Sequence, residues 1–272
     1  MNQKDISSAR QISSSRYKAN LQRVGSAIPE TISLLSEYAR LGDWQLVRQR
    51  VIQENLLKKH SSATINAIIQ AVKSRFFSNN AQLPGADIAA KFLMSNISEI
   101  TKAQIIYIYL INSDHLIKQT FLKLVKPTIE TSSNPILTSQ GVVAFLDGEV
   151  KAHPELDRWS DYLKRRWARG FLAFCRDFGF MKRAPSTELT APRIRVETFT
   201  FLLFALLQAG LSNMEAIGHD IWVLYLLREE QKENLLTESQ ARGWLYYARA
   251  AEIMELRPKY ESVEEWIENA LG

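Results

Sequence analysis

The chain reads as mainly α: a two-domain helical protein with a winged helix-turn-helix-like unit and a small β-hairpin wing. Three observations predict this. Apolar residues recur at three- and four-residue spacing through most of the sequence, clusters of Pro, Asn, Ser and Gly punctuate it, and Arg158 to Arg195 joins an amphipathic helix to a short basic hairpin. With 272 residues, 46% of them hydrophobic, the chain is long enough for two modest cores.

Residues 1–20 are polar and without periodicity, which predicts a flexible basic N-terminal arm. The first 25 residues set Lys4, Arg10, Arg16, Lys18 and Arg23 against Asp5 alone. An N-terminal helical domain is expected over 21–130. Thr31 to Leu41 carries apolar residues at Ile32, Leu34, Leu35 and Tyr38, stops at Gly42, and restarts from the N-cap Asp43 into Trp44, Val47 and Val51, a tight helical hairpin. Ser61 or Ser62 opens a helix through Ile65, Ile68, Ile69, Val72 and Phe76, and Ser78 to Gly85 is a loop. Asp87 to Asn96, Lys102 to Ile111 and Asp114 to Val125 read as further helices. The β-branched run Ile105 to Ile111 could pass for a strand, but its helical neighbours favour helix.

Pro127, Ser132, Ser133, Asn134 and Pro135 form the clearest linker, so a second domain is expected over 135–272. Thr138 to Val150 is a helix and His153-Pro154-Glu155 starts the next element. A long helix then runs from about Asp157 to Phe178, closed by Gly179. Leu163, Trp167, Phe171, Phe174 and Phe178 share its apolar face. Arg158, Arg165, Arg169 and Arg176 fall within about 40° of one another on the other side, a row roughly 27 Å long. Such a row is usually only a solvated face. Here, however, Arg158 to Arg183 holds eight basic residues against only Asp161 and Asp177, a less even mixture than an ordinary surface helix shows. Lys182, Arg183, a turn at Pro185-Ser186 and an extended stretch through Arg193 and Arg195 then describe the wing, although a hairpin merely joining two helices would leave the same trace. Helices are expected from Phe199 through Trp222 and Trp244 to Trp266, ending in an acidic helical tail.

Other chemistries leave no pattern. The glycines form neither G-x-x-x-x-G-K nor G-x-G-x-x-G, so nucleotide hydrolysis is disfavoured. His60, His115, His153 and His219 are scattered as surface or capping groups, and no spacing holds a metal. Adjacent His219 and Asp220 do not face each other on a helix, and no nucleophile accompanies them. The reading is therefore non-enzymatic, with no cofactor. Cys175 is expected as a half-buried structural thiol. The N-terminus lacks the apolar core of a signal peptide, and Phe199 to Leu211, about 13 residues, is too short to span a bilayer. A cytoplasmic protein that does not touch the membrane is expected.

The run Gly42-Asp43-Trp44, Val47-Arg48, Val51 and Glu54-Asn55-Leu56-Leu57, before a Ser-initiated helix, resembles the N-terminal signature of the BrxA family of BREX bacteriophage-defence proteins. Tyr17, Ala19, Leu21, Gly25 and Pro29-Glu30-Thr31 look like its lead-in. His153-Pro154-Glu155-Leu156, Trp159, Lys164, Arg166 and Gly179 form a second match. The resemblance implies a mostly helical, non-catalytic bacterial protein that binds double-stranded DNA beside a methyltransferase, an ATPase and other BREX subunits. Lys58-Lys59-His60-Ser61-Ser62 departs from the Arg-Ser/Thr-rich opening expected of the third helix, and the acidic tail extends beyond the family core.

The expected DNA-contact set is Arg158, Lys164, Arg165, Arg166, Arg169, Arg176, Lys182, Arg183, Arg193 and Arg195. The contacts should fall mainly on phosphates, each lost arginine reducing the salt slope by about one. The alternative is a protein–protein adaptor without direct DNA contact, using Trp222, Tyr225, Trp244, Tyr246, Tyr247 and Trp266, although core packing explains those aromatics at least as well. A helical RNA-binding module is a third reading.

Overall fold

The computed structural model describes residues 17–78, 83–250 and 253–272. They form two compact units: one takes the residues up to Ser26 together with Leu110–Pro192, the other Ala27–Tyr109 together with Arg193–Gly272. The linker over 132–135 lies inside the first unit. Of the expected basic arm, residues 1–16 lie outside the described residues.

In the first unit α1 is a single turn, Leu21–Val24. A long helical stretch follows from Asp114, whose carboxylate caps it by accepting from the Ile117 amide at 3.2 Å. It comprises α7 (His115–Thr120), a π-helical turn (Phe121–Val125) and α8 (Lys126–Thr131). Pro127 has no N–H to give the turn before it, and the Lys126 amide reaches back to Phe121 O in an i→i+5 bond, so the π turn absorbs the proline without breaking the helix.

Ile136 then pairs with Glu188, and Met181 with Leu189, as isolated bridges. Leu137 N donates to Thr187 O at 2.9 Å, Leu189 N to Pro135 O at 2.8 Å, and Lys182 N to Glu188 O at 3.0 Å. Between these segments come α9 (Ser139–Glu149), a 3-10 turn (Pro154–Arg158) and α10 (Asp161–Asp177). Helix, short extended segment, helix, helix, paired loop is the element order of a winged helix. The chain breaks at Trp159-Ser160, so the long helix starts later than its periodicity predicts. Ser160 caps it instead, accepting from Leu163 N at 3.3 Å. Trp167, Phe171, Phe174 and Phe178 stack in sequence along the buried face, with ring centroids 5.3, 5.7 and 5.1 Å apart. Cys175 is fully buried among them rather than half-buried, and burial pushes its thiol well above the usual range.

The second unit opens with the expected hairpin, α2 (Ile28–Leu41) and α3 (Trp44–Gln53). Gly42 turns the chain at φ +69°, a left-handed conformation that favours glycine, and Asp43 accepts from Gln45 N at 2.6 Å. After α4 (Ser62–Phe76) and α5 (Ala86–Met94), α6 runs over Glu99–Ser113. The β-branched run is thus helical, and Ile105 to Tyr109 are buried on every face, so apolar composition around the whole helix replaces amphipathic periodicity. Next come α11 (Val196–Gln208), α12 (Asn213–Ile217), a 3-10 turn (Asp220–Tyr225) and α13 (Glu229–Ala241).

Leu245–Ala250 (β1) and Ile253–Pro258 (β2) then pair antiparallel, from Leu245 opposite Pro258 to Ala250 opposite Ile253, before α14 (Val263–Ala270). The extended β-hairpin therefore lies at 245–258, in a stretch where helices were expected to dominate, and the basic segment after α10 holds only the two bridges. The pairing of Tyr246, Tyr247 and Arg249 with Arg257, Leu256 and Met254 is a cross-strand property that a one-dimensional scan for helical spacing passes over.

Candidate nucleic-acid interface

Helix α10 presents its cations unequally. Arg165, Arg166 and Arg169 are exposed and make no ion pair or hydrogen bond with described residues. They lie within one turn and a face of about 100°, a compact cationic patch. The rest of the expected row has other duties. Arg158 is exposed but sits on the 3-10 turn before the helix, off the stripe. Arg176 is half-buried; one terminal nitrogen donates to Ser186 O at 3.1 Å, and its Nε is buried without a hydrogen-bond partner among the described residues. This residue ties the loop after α10 to the helix end, a positioning role. Lys164 is buried and its Nζ lies 2.7 Å from Asp147 Oδ1 on α9, so it fastens two helices and does not face a phosphate.

In the loop, Lys182 pairs with Glu188 at 2.6 Å, leaving Arg183 near its tip exposed and without an ion partner among the described residues. Arg193 and Arg195 belong to the second unit, so the expected wing is divided. Their side chains are exposed, while Arg193 O accepts from Gln104 Nε2 and Arg195 N donates to Gln104 Oε1, both at 2.9 Å. In the second unit three α-helices, α11, α12 and α13, also precede a hairpin, but α13 opens with exposed Glu229 and Glu230. Its neighbouring Arg242 is engaged by Glu197 and Glu238. Of the aromatics that would have served an adaptor surface, Trp222, Tyr225, Trp244 and Trp266 are core residues and Tyr247 is half-buried, leaving Tyr246 exposed.

Two features escaped the sequence reading. First, α1 lies against α10 where Gly170 stands: a Cβ there would be 3.6 Å from Gln22 Cα. Beside this approach runs an open groove of about 500 Å³, lined among others by Arg23, Tyr162, Arg166, Arg169 and Asp177. Arg23 and Tyr162 are both exposed. Second, Tyr17 anchors the chain before α1. Its ring stacks on His153 with centroids 3.5 Å apart, its amide donates to Glu155 Oε1 at 2.6 Å, and its hydroxyl donates to Glu149 Oε2 at 3.2 Å. Lys123 pairs with Glu149 at 2.7 Å, and His115 lies 5.5 Å from the Tyr17 ring. The tyrosine, histidines and carboxylates here are up to 138 positions apart, so no spacing rule joins them.

An acid-sensitive first unit is expected from this cluster. Burial, then the nearby His153, Lys118 and Lys123, lowers the His115 pKa. Burial works against ionisation of Glu149 and Glu155, but Lys123, His153 and the Tyr17 hydrogen bonds outweigh it and hold both carboxyls below their ordinary value. All three groups bind protons more tightly in the unfolded chain. The carboxylates' stabilising contribution is present at neutral pH and is lost as pH falls from their ordinary value of 4.5 down through their lowered folded values, while His115, more easily protonated in the unfolded chain, adds a penalty to the folded state as pH falls below the ordinary histidine value of 6.5. A lower urea midpoint is expected at about pH 5 than at about pH 7.5, with a smaller difference in His115→Gln; an unchanged pH dependence in that variant would remove His115 from the account.

No helix among the described residues is long and apolar enough to cross a membrane, and no cluster of His, Cys, Asp and Glu among them has the form of a metal site. No curated protein matches the chain. A crystal structure of an uncharacterized protein from Magnetospirillum magneticum shares the fold, with a TM-score of 0.58 and 15% identity, over 71% of this chain and 95% of that one. The BrxA family matches residues 15–205, a span that takes in Tyr17, the Gly42-Asp43 turn and the whole of α10. With that match covering well over half of its length, the chain belongs to the BrxA family, which places it in the setting of BREX bacteriophage defence.

Proposed function

We propose that this protein is a non-enzymatic, cytoplasmic duplex-DNA-binding component of a BREX assembly, working beside its methyltransferase and ATPase subunits. The observation that carries the reading is the patch of Arg165, Arg166 and Arg169, three exposed guanidinium groups without ion partners among the described residues, on the third helix of a winged-helix order. Ion-paired arginines have already spent their charge, whereas these three keep theirs for phosphate oxygens. Arg183 extends the cationic surface along the loop, and Arg176 holds that loop against the helix.

Contacts of this kind are made mainly to the backbone, so binding tolerates many base sequences and weakens steeply with salt. The test is a titration of full-length protein into a labelled random-sequence duplex across a range of salt concentrations. A log–log slope of about −3 or steeper is expected from three or more phosphate contacts. Absence of binding at low salt, or affinity indifferent to salt, would refute the reading and leave the adaptor, whose apolar contacts respond weakly to ionic strength.

A further inference from the structure

We infer that the groove between α1 and α10 is a binding site for a single nucleotide bearing a phosphate monoester. It shares Arg166 and Arg169 with the proposed duplex surface but does not require that reading, because the groove is complete within one protomer and a free nucleotide would fill it.

Three observations converge. About 500 Å³ lies within the range of small-ligand clefts, roughly 300–1,000 Å³. Arg23 reaches the groove from α1 while Arg166 and Arg169 reach it from α10, and none of the three has an ion partner among the described residues. Against Asp177 they leave an excess of two positive charges, matching a phosphate monoester, whose charge is about −1.5 to −2 at neutral pH. Tyr162 also lines the groove with 66% of its surface exposed, and it offers a planar face on which a base can stack. Inorganic phosphate would use the arginines and leave the tyrosine idle. A nucleotide uses both.

Either a free mononucleotide or the 5′-phosphorylated end of a strand carries this chemistry. The experiment is calorimetric titration of the full-length protein with dAMP, deoxyadenosine and inorganic phosphate, and with a short single strand carrying either a 5′-phosphate or a 5′-hydroxyl. Saturable dAMP binding is expected, about tenfold or more tighter than either fragment. Preference for the phosphorylated strand over dAMP would identify a strand end, and the reverse a free nucleotide. Arg23→Gln, an exposed change on α1, should weaken dAMP about tenfold with an unaltered circular dichroism spectrum. Tyr162→Ala should weaken dAMP and leave inorganic phosphate as it was. Equal affinity for dAMP and phosphate, or an Arg23→Gln protein that binds dAMP like the wild type, would overturn the inference. If dAMP binds and duplex DNA does not, the nucleotide site stands and the duplex reading falls; duplex binding without dAMP binding at millimolar concentration does the opposite.

Discussion

Replacing Arg165, Arg166 and Arg169 together by Gln should weaken binding to random-sequence duplex DNA by about two to four orders of magnitude at low salt and flatten the salt slope by about three. The magnitude follows from losing three charge-assisted contacts, each worth roughly 1–2 kcal/mol at an exposed site. All three side chains point to solvent, so the variant keeps its fold, and its thermal midpoint should move little. Lys164→Met is the informative contrast. That lysine is one residue from Arg165 but is buried against Asp147, so its loss should reduce stability while the salt slope stays where it was. Lys182→Gln should also change the slope by less than one, because Glu188 already neutralises it. Anisotropy titrations of the three variants across salt decide the matter: a slope that falls as much for Lys164→Met as for an arginine would refute the division between structural and DNA-facing cations.

Gln104→Leu should be among the most damaging single changes in the second unit, costing about 3 kcal/mol or more. The Gln104 side chain is buried and meets three partners at 2.9 Å: Nε2 donates to Arg193 O, while Oε1 accepts from Arg195 N and from Thr198 Oγ1. Leucine fills a similar volume but leaves a backbone N–H, a carbonyl and a hydroxyl without partners where water has little access. Thr198→Val removes one of these bonds, and Tyr225→Phe removes the separate 2.8 Å bond from the Tyr225 hydroxyl to Gln104 O. Each should cost about 1 kcal/mol. Urea denaturation with a constant m-value checks the ranking. Near-equal losses for Gln104→Leu and Thr198→Val would mean that the backbone at 193–195 is not held by this side chain.

The resemblance residues acquire physical roles in the structure. Gly42 and Asp43 turn α2 into α3, and Tyr17, His153 and Glu155 form one clasp although they come from two separate blocks of the sequence. Lys164 is half of the α9–α10 ion pair. These residues define the scaffold, whereas the patch proposed to meet DNA is mostly made of residues outside the matching motifs. Arg166 belongs to both sets.

What the sequence determined by itself was local. Helix positions followed from the 3.6-residue spacing of apolar side chains, the cap Asp43 from the need of terminal amides for an acceptor, and the two faces of α10 from angular arithmetic within 17 residues. The tertiary structure alone decided which cations remain available. Arg165 and Lys164 are neighbours of the same charge, yet Asp147, 17 positions away, takes one and leaves the other to solvent; Glu188 and Ser186 likewise claim Lys182 and Arg176. The groove needs Arg23 from a segment more than 130 residues before α10, and the hairpin over 245–258 needs a register between two strands. The reason is common to all of these: hydrogen bonding, ion pairing and strand pairing depend on distance in space, and periodicity along a chain carries only the part of that distance set by the local backbone.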